Sequence, residues 1–192
     1  MNRLPRIAIF ASGNGSNAQR IADFFSGKGI LEIVAIYCNN PDAFVLERAK
    51  EMKIPSILFN RSTFIQSHEI LDDLIARDVD WIILAGFLWL IPGYILNAYP
   101  QKIINIHPAL LPNYGGKGMF GARVHEAVIT SGDTESGITI HYVNERYDEG
   151  QVIFQEKCQI VSEDTPESLA GKIHKLEYEY FPQVISKLIG SK

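Results

Sequence analysis

The chain has little of what builds a cross-linked or metal-held scaffold. Two cysteines, Cys38 and Cys158, occur in 192 residues, with no CxxC and no Cys/His ligand spacing. That excludes a disulfide framework and a zinc centre of the usual pattern, and both read as buried free thiols. His68, His125, His141 and His174 show no HxxxH spacing, so no metal is expected. Positive charge is not in excess either. A formal net charge of -4 has the wrong sign for a surface that releases counterions from a nucleic-acid backbone, so no nucleic-acid partner is expected. Long apolar runs are missing too. The longest, "WIILAGFLWLIPGYIL" from Trp81 to Leu96, is interrupted by Gly86, Pro92 and Gly93 and is shorter than a spanning helix. The N-terminal run Ile7 to Ala11 behind Arg3 and Arg6 is too short for a leader. A cytoplasmic protein without a membrane partner is expected.

What is present is an alternation of short β-rich runs and helical patterns, in a chain that is 46% hydrophobic and 21% charged. Such a chain can bury one sizeable core, and one continuous domain over 1–192 is the economical reading. "RIAIFA" (6–11), "EIVAIYC" (32–38), "SILF" (56–59), "WIILA" (81–85) and "KIINI" (102–106) read as strands. Helical patterns separate them: 17–26, 43–53, a run opened by Ser62 as cap in "STFIQSHEILDDLIAR", and 92–99. Strands apolar on both faces and separated by helices predict an α/β fold, a mostly parallel twisted sheet with helices on both faces and a Rossmann-like N-terminal half. After His107 the texture changes to a glycine-rich loop, "NYGGKGMFGA", and a helix near 123–130. Two strands follow at 136–144 and 151–160, joined by "ERYDEG". Thr165 as N-cap with Pro166 after it opens a last helix toward Ile189. The halves divide at about 1–100 and 101–192.

"SGNGSN" at 12–17 joins the first strand to the first helix. Gly13 to Ala18 satisfies G-x-G-x-x-A, on its face a dinucleotide fingerprint. That fingerprint also wants an acid at the end of the second strand, where this chain reads Tyr37-Cys38-Asn39-Asn40-Pro41; no Gly-Lys-Ser/Thr occurs either. The loop does offer Gly15, Ser16 and Asn17 at a helix N-terminus, where free N–H groups and the helix dipole favour an anion such as a terminal phosphate. The plainer alternative is that Asn14, Ser16 and Asn17 only cap the helix.

The second signal is Asn105-Ile106-His107-Pro108. Residues two apart in a strand share a side, so an amide and an imidazole stand together at a strand's C-terminal end, where open α/β sheets place ligands. Together they suit a developing oxyanion. Asp148, in the turn Tyr147-Asp148-Glu149-Gly150, is the best placed carboxylate to complete the set. Singly, Asn105 reads as a turn-former, His107 as a satisfied buried histidine and Asp148 as a turn residue; their value is in combination.

These segments, with "LAGF" at 84–87, "NIHPALLP" at 105–112 and "GITIHYVNERYDEGQVI" at 137–153, resemble the folate-dependent glycinamide ribonucleotide formyltransferases over nearly the whole chain. The resemblance implies the formyltransferase fold, with a phosphate-binding first half and a folate-binding, catalytic second half. It implies direct attack of the amine of glycinamide ribonucleotide on the formyl group of 10-formyltetrahydrofolate, a co-substrate, in purine biosynthesis, without a metal. Asn105 and a protonated His107 would stabilise the tetrahedral oxyanion, and Asp148 would keep His107 charged and help move the proton. Gly15, Ser16 and Asn17 would hold the substrate phosphate and Glu177 the ribose; without the resemblance, Glu177 reads as a solvated helical charge. Leu88, Trp89, Ile91, Leu96 and Ile103 would surround the folate, with Val143, Asn144 and Tyr147 in the segment that reads its edge. Trp89 stands where several relatives carry a basic residue near the folate tail, leaving Lys117 or His68 to substitute, and "GGKGMFGA" lacks a histidine that many relatives have. The partners implied are small molecules, the assembly a monomer or homodimer.

A formyltetrahydrofolate hydrolase and a non-catalytic nucleotide-binding module are the competing readings; the second would not require Asn105, His107 and Asp148 to converge. A methionyl-tRNA formyltransferase would call for a further C-terminal domain and a more basic surface, and a nicotinamide enzyme for the missing ribose acid.

Overall fold

The computed structural model describes residues 3–190. Strand β1 (Arg6–Ala11) is its central element: Ile7 through Ala11 are fully buried, as a strand covered on both faces must be. β2 (Glu32–Cys38) and β4 (Trp81–Leu84) pair with it in parallel, one on each side. β3 (Ser56–Leu58) and β5 (Ile103–His107) extend the parallel part, and β6 (Glu135–Tyr142) and β7 (Val152–Gln159) add two antiparallel strands. The seven strands run in the order β3-β2-β1-β4-β5-β6-β7. The first five thus have doubly wound topology, and the direction of winding reverses between β1 and β4. The mostly parallel α/β architecture read from the sequence is the one observed.

Helices cover both faces. On one, α1 (Ser16–Phe25), α2 (Val45–Glu51), α6 (Ala122–Ser131) and α7 (Pro166–Ile189) bury Ile21, Val45, Val124, Ile173 and Phe181 against Ile9, Ile36, Ile83 and Ile104. On the other, α3 (Arg61–Gln66), α4 (Glu69–Ala76) and α5 (Gly93–Ala98) bury Phe64, Leu74 and Ile95 against Phe10, Tyr37, Ile82 and Ile103. Each such side chain contributes about 1.5–3 kcal/mol by leaving water. α7 starts as its sequence predicts, with Thr165 and Ser168 forming a reciprocal capping box ahead of Pro166. No helix among the described residues is long and apolar enough to cross a membrane.

One helix expected from Ser62 is two. Asn60, not Ser62, is the cap, its Oδ1 accepting the Thr63 N–H at 2.9 Å. The chain then turns extended at Ser67, whose hydroxyl donates back to the Thr63 carbonyl, and His68 stacks on Tyr94 before α4 begins. The helical pattern runs through this break because both pieces bury the same face; local side-chain bonds to the backbone end the first piece.

β5 positions the site. Ile103 packs on the α4/α5 face and Ile104 and Ile106 on the other, so Asn105 and His107 share the side of Ile103 at the strand's end. The antiparallel register sets His141 of β6 opposite Asn105.

Candidate active site

At the carboxyl ends of β1, β4 and β5 a cleft of about 640 Å³ opens, lined by the loops after β1 and β4, the glycine-rich loop before α6, and α7. It lies at the switch point of the sheet. The Ser12 N–H donates to the Gly86 carbonyl at 3.0 Å and the Leu88 N–H to the Ser12 hydroxyl at 3.1 Å, which ties the first two loops together.

One end is the start of α1. Gly15 is its N-cap, in the left-handed region at φ 77°, and a Cβ there would lie 2.4 Å from Val45 Cγ2; only glycine fits on both counts. No side chain caps the helix and its first turn carries no acid, so the capping alternative is not what the structure has. Asn14 is held by Arg48 instead, at 2.9 Å through its carbonyl and 3.1 Å through its side chain. Ser16 and Asn17 line the cleft with the unfilled positive end of the helix behind them. Asn17 Nδ2 donates to Glu177 Oε2 at 3.0 Å. Glu177 is not a solvated charge: it is buried in the cleft wall, and burial pushes its carboxyl up to about 7 against the lowering effect of the Asn17 bond.

The other end gathers Asn105, His107 and Asp148, as expected, and adds His141. Asp148 Oδ2 lies 3.5 Å from His107 Nδ1 and accepts the Gly116 N–H at 3.0 Å; Oδ1 lies 3.6 Å from His141 Nε2 and 3.4 Å from Asn105 Nδ2. Asn105 Nδ2 is also 3.1 Å from His141 Nε2. His141 Nδ1 faces the Tyr142 carbonyl at 2.8 Å, an acceptor only, so Nδ1 carries a proton. Burial raises the Asp148 carboxyl, but the bonds and charges of His141, His107 and Gly116 more than offset it, and the net shift is downward. Asp148 and Tyr114 both hold left-handed backbone, at φ 57° each, a sparsely populated conformation that aims their polar groups at the two histidines.

The expectation for His107 changes here. Its Nε2 lies 2.7 Å from the Tyr114 carbonyl, an acceptor only, so the ring's first proton sits on Nε2 and its second would go on Nδ1, facing Asp148. Burial outweighs Asp148, and the pKa is lowered rather than raised. Burial thus disfavours the imidazolium, and the loop engages the ring's Nε2–H.

Of the residues expected around the folate, Leu88, Trp89 and Tyr147 line this cleft. Ile91 and Ile103, 2% and 1% exposed, are core residues. Leu96, Val143 and Asn144 line a separate depression with Tyr99 and Arg146. Apolar periodicity marks which side chains leave water, not which cavity they face. The cleft takes its further apolar wall from Phe87, Met119 and Phe120, with Arg61 and Lys117 as cations. Arg61 lies over the Trp89 ring at 5.9 Å; His68, stacked on Tyr94, is not among the lining residues. His141, Tyr114 and Arg61 were not singled out from sequence as site residues. His141 had a signal, its place opposite Asn105 once the two strands are paired; the Tyr114 carbonyl had none, since a backbone group leaves no mark in composition. Among the described residues no cluster of three or more His, Cys, Asp or Glu is placed to hold a metal ion.

A family model described as formyl transferase matches residues 5–185. Phosphoribosylglycinamide formyltransferase of Bacillus subtilis is 39% identical over 97% of this chain and 96% of its own length. The chloroplastic phosphoribosylglycinamide formyltransferases of Arabidopsis thaliana and Vigna unguiculata are 38% and 37% identical over 97% of this chain, which spans 66% and 61% of their lengths. Among solved structures, glycinamide ribonucleotide transformylase 1 of Geobacillus kaustophilus superposes with a TM-score of 0.88 at 38% identity, covering 97% of this chain and all of that one. A family model matched over residues 5–185, together with relatives at 37–39% identity over 97% of the chain, leads to one conclusion: this protein belongs to the formyl transferase family, with relatives named phosphoribosylglycinamide formyltransferases.

Proposed function

We propose that the protein transfers the formyl group of 10-formyltetrahydrofolate to the amino group of glycinamide ribonucleotide. The observation that carries this reading is that an anion-ready helix start, Gly15-Ser16-Asn17, and the Asn105, His107 and Asp148 cluster open into one cleft. Its volume lies within the range of ligand sites for molecules of this size, and its apolar wall of Leu88, Trp89 and Phe120 fits a flat aromatic ring. The folate supplies a formyl group already activated on nitrogen. Everything else is alignment, charge and proton transfer.

Gly15, Ser16 and Asn17 bind the phosphate, and Glu177 the ribose, which fixes the amine's approach. Asn105 points a donor at the formyl oxygen as the new C–N bond forms and negative charge builds there. That charge favours the imidazolium form that burial disfavours, so His107 holds the oxyanion more strongly than the uncharged formyl oxygen. Its Nε2–H serves the oxyanion when the Tyr114 carbonyl gives it up. Asp148, ionised and held by the Gly116 N–H, accepts the proton that the attacking amine sheds, through water, and returns it toward the leaving nitrogen as the old C–N bond breaks. No other macromolecule is needed; we read the assembly as a monomer or homodimer and the compartment as cytoplasmic.

The test is consumption of 10-formyltetrahydrofolate with and without glycinamide ribonucleotide. Consumption that requires the ribonucleotide is expected. Turnover indifferent to it would make the protein a hydrolase, and none at all would leave a binding module.

A further inference from the structure

His125 is 4% exposed, lines the cleft, and has a buried Nδ1 with no hydrogen-bond partner. Among the described residues two other buried side-chain atoms lack a partner, on Asn39 and Ser136, and neither residue lines this cleft. A buried polar atom left unpaired is rare in folded proteins. The imidazole that carries it lines a ligand-sized cavity, where a ligand can supply the polar partner that the protein does not.

The surroundings indicate what kind of ligand. His125 is in the first turn of the ten-residue helix α6, whose N-cap Gly121 also lines the cleft. No side chain caps α6 and its first turn carries no acid. Two helices, α1 and α6, thus turn uncapped positive ends toward one cavity. His174 and Glu177 line the same cleft. His174 is one turn before Glu177 on α7, which packs along α6. His125 therefore belongs to the anchoring end of the cleft rather than to the centre where Asn105 and Asp148 meet.

We propose that His125, with the N-terminus of α6, is a second anchor for the phosphorylated sugar of the acceptor, its imidazole hydrogen-bonding a phosphate or sugar oxygen. This rests on the reading of the cleft as a ribonucleotide site. The neutral ring supplies one donor and one acceptor, which suits an oxygen-rich ligand in either protonation state.

The test is calorimetric titration of the full-length chain with ribose 5-phosphate, comparing wild type, His125→Leu and His125→Asn, with a melting curve for each. His125→Leu weakens binding about tenfold or more, the usual effect of losing a bond to a charged or strongly polar group. Its melting temperature holds or rises, because an unpaired polar atom has been replaced by an apolar group of similar size. His125→Asn, which keeps a polar nitrogen near the Nδ1 position, recovers most of the affinity. Equal affinity in wild type and His125→Leu overturns the inference, as does a wild type that ignores ribose 5-phosphate. So does a melting temperature that falls with affinity and no recovery in His125→Asn, the mark of a structural histidine. The titration involves no formyl transfer. Binding through His125 by a protein that transfers no formyl group would sink the functional reading and keep this one; transfer with binding indifferent to His125 would do the reverse.

Discussion

The two ends of the cleft are built on opposite plans. Around Asp148 each polar group has protein partners: the carboxylate faces His107, His141, Asn105 and the Gly116 N–H, and both histidines are engaged by backbone carbonyls. At the start of α1 the polar groups wait. The helix has no side-chain cap, Glu177 has a single bond from Asn17, and His125 Nδ1 has none. Chemistry requires groups already oriented when charge develops, because reorganising them at that moment raises the barrier. Binding requires the reverse, groups whose unmet bonds the ligand satisfies. The difference separates two kinds of polar group: those already paired by the protein, suited to oriented chemistry, and those with unmet bonds, suited to holding a ligand.

That contrast breaks most sharply at Asp148. Asp148→Asn keeps the shape and removes the charge, and should lower kcat by more than about a hundredfold with little change in KM for the acceptor. Steady-state kinetics with both substrates varied checks this; a variant impaired only in KM would move Asp148 to the binding end.

pH is the second lever, because the two ends carry opposite signs. Glu177 folds with its carboxyl raised from an ordinary 4.5 to about 7. Its contribution to stability is present below 4.5 and is lost as pH rises through that window, by about 3 kcal/mol at roughly 1.4 kcal/mol per pH unit. His107 folds with a lowered pKa, so its contribution is present above the ordinary histidine value of about 6.5 and is lost as pH falls below it. Denaturation at pH 5, 6 and 7.5 should show the loss toward pH 7.5 diminished in Glu177→Gln and the loss toward pH 5 diminished in His107→Asn. Identical slopes in wild type and both variants would end the comparison. Glu177→Gln should also raise KM for the acceptor.

A smaller effect is expected at Gly115. A Cβ there would lie 2.6 Å from Leu111 Cδ2 and 3.2 Å from Asp148 Cβ. Overpacking of this kind costs about 1–3 kcal/mol, and here the strain falls on Asp148. Gly115→Ala should reduce kcat about tenfold while ribose 5-phosphate binds as before; weakened binding would mean that the two ends are mechanically coupled. The smallest change belongs outside both. Thr165→Ala removes the capping bond to the Ser168 N–H at the start of α7 and should cost about 1 kcal/mol of stability in denaturant unfolding, with both substrates' KM unaltered.

Much of this was legible in the chain, and the parts that were not share a cause. β1 and β2 follow from nearly unbroken apolar runs behind a single charged residue, and α7 from Thr165 and Pro166, because strand and cap signals lie within a few residues. Asn105 and His107 were readable as a pair for the same reason. Around the folate, Ile91, Ile103, Leu96, Val143 and Asn144 were placed by resemblance at a surface that the cleft does not include. Side chains of that kind look alike in sequence whether they face a cavity or the core.

What the sequence by itself determined, then, is the order of elements, the glycine at the start of α1, and the pairing of Asn105 with His107 on one side of a strand: these depend on backbone sterics and on residues two to four apart. Only the tertiary structure decided how those groups stand chemically. Pairing β6 against β5 brought His141 to Asn105 across 36 positions, and folding the glycine-rich loop over them gave His107 the Tyr114 carbonyl and Asp148 the Gly116 N–H. Burial then lowered the His107 pKa and raised that of Glu177 to about 7. Charge state depends on how much water the whole fold excludes from a group, a property that no neighbouring residue in the chain carries.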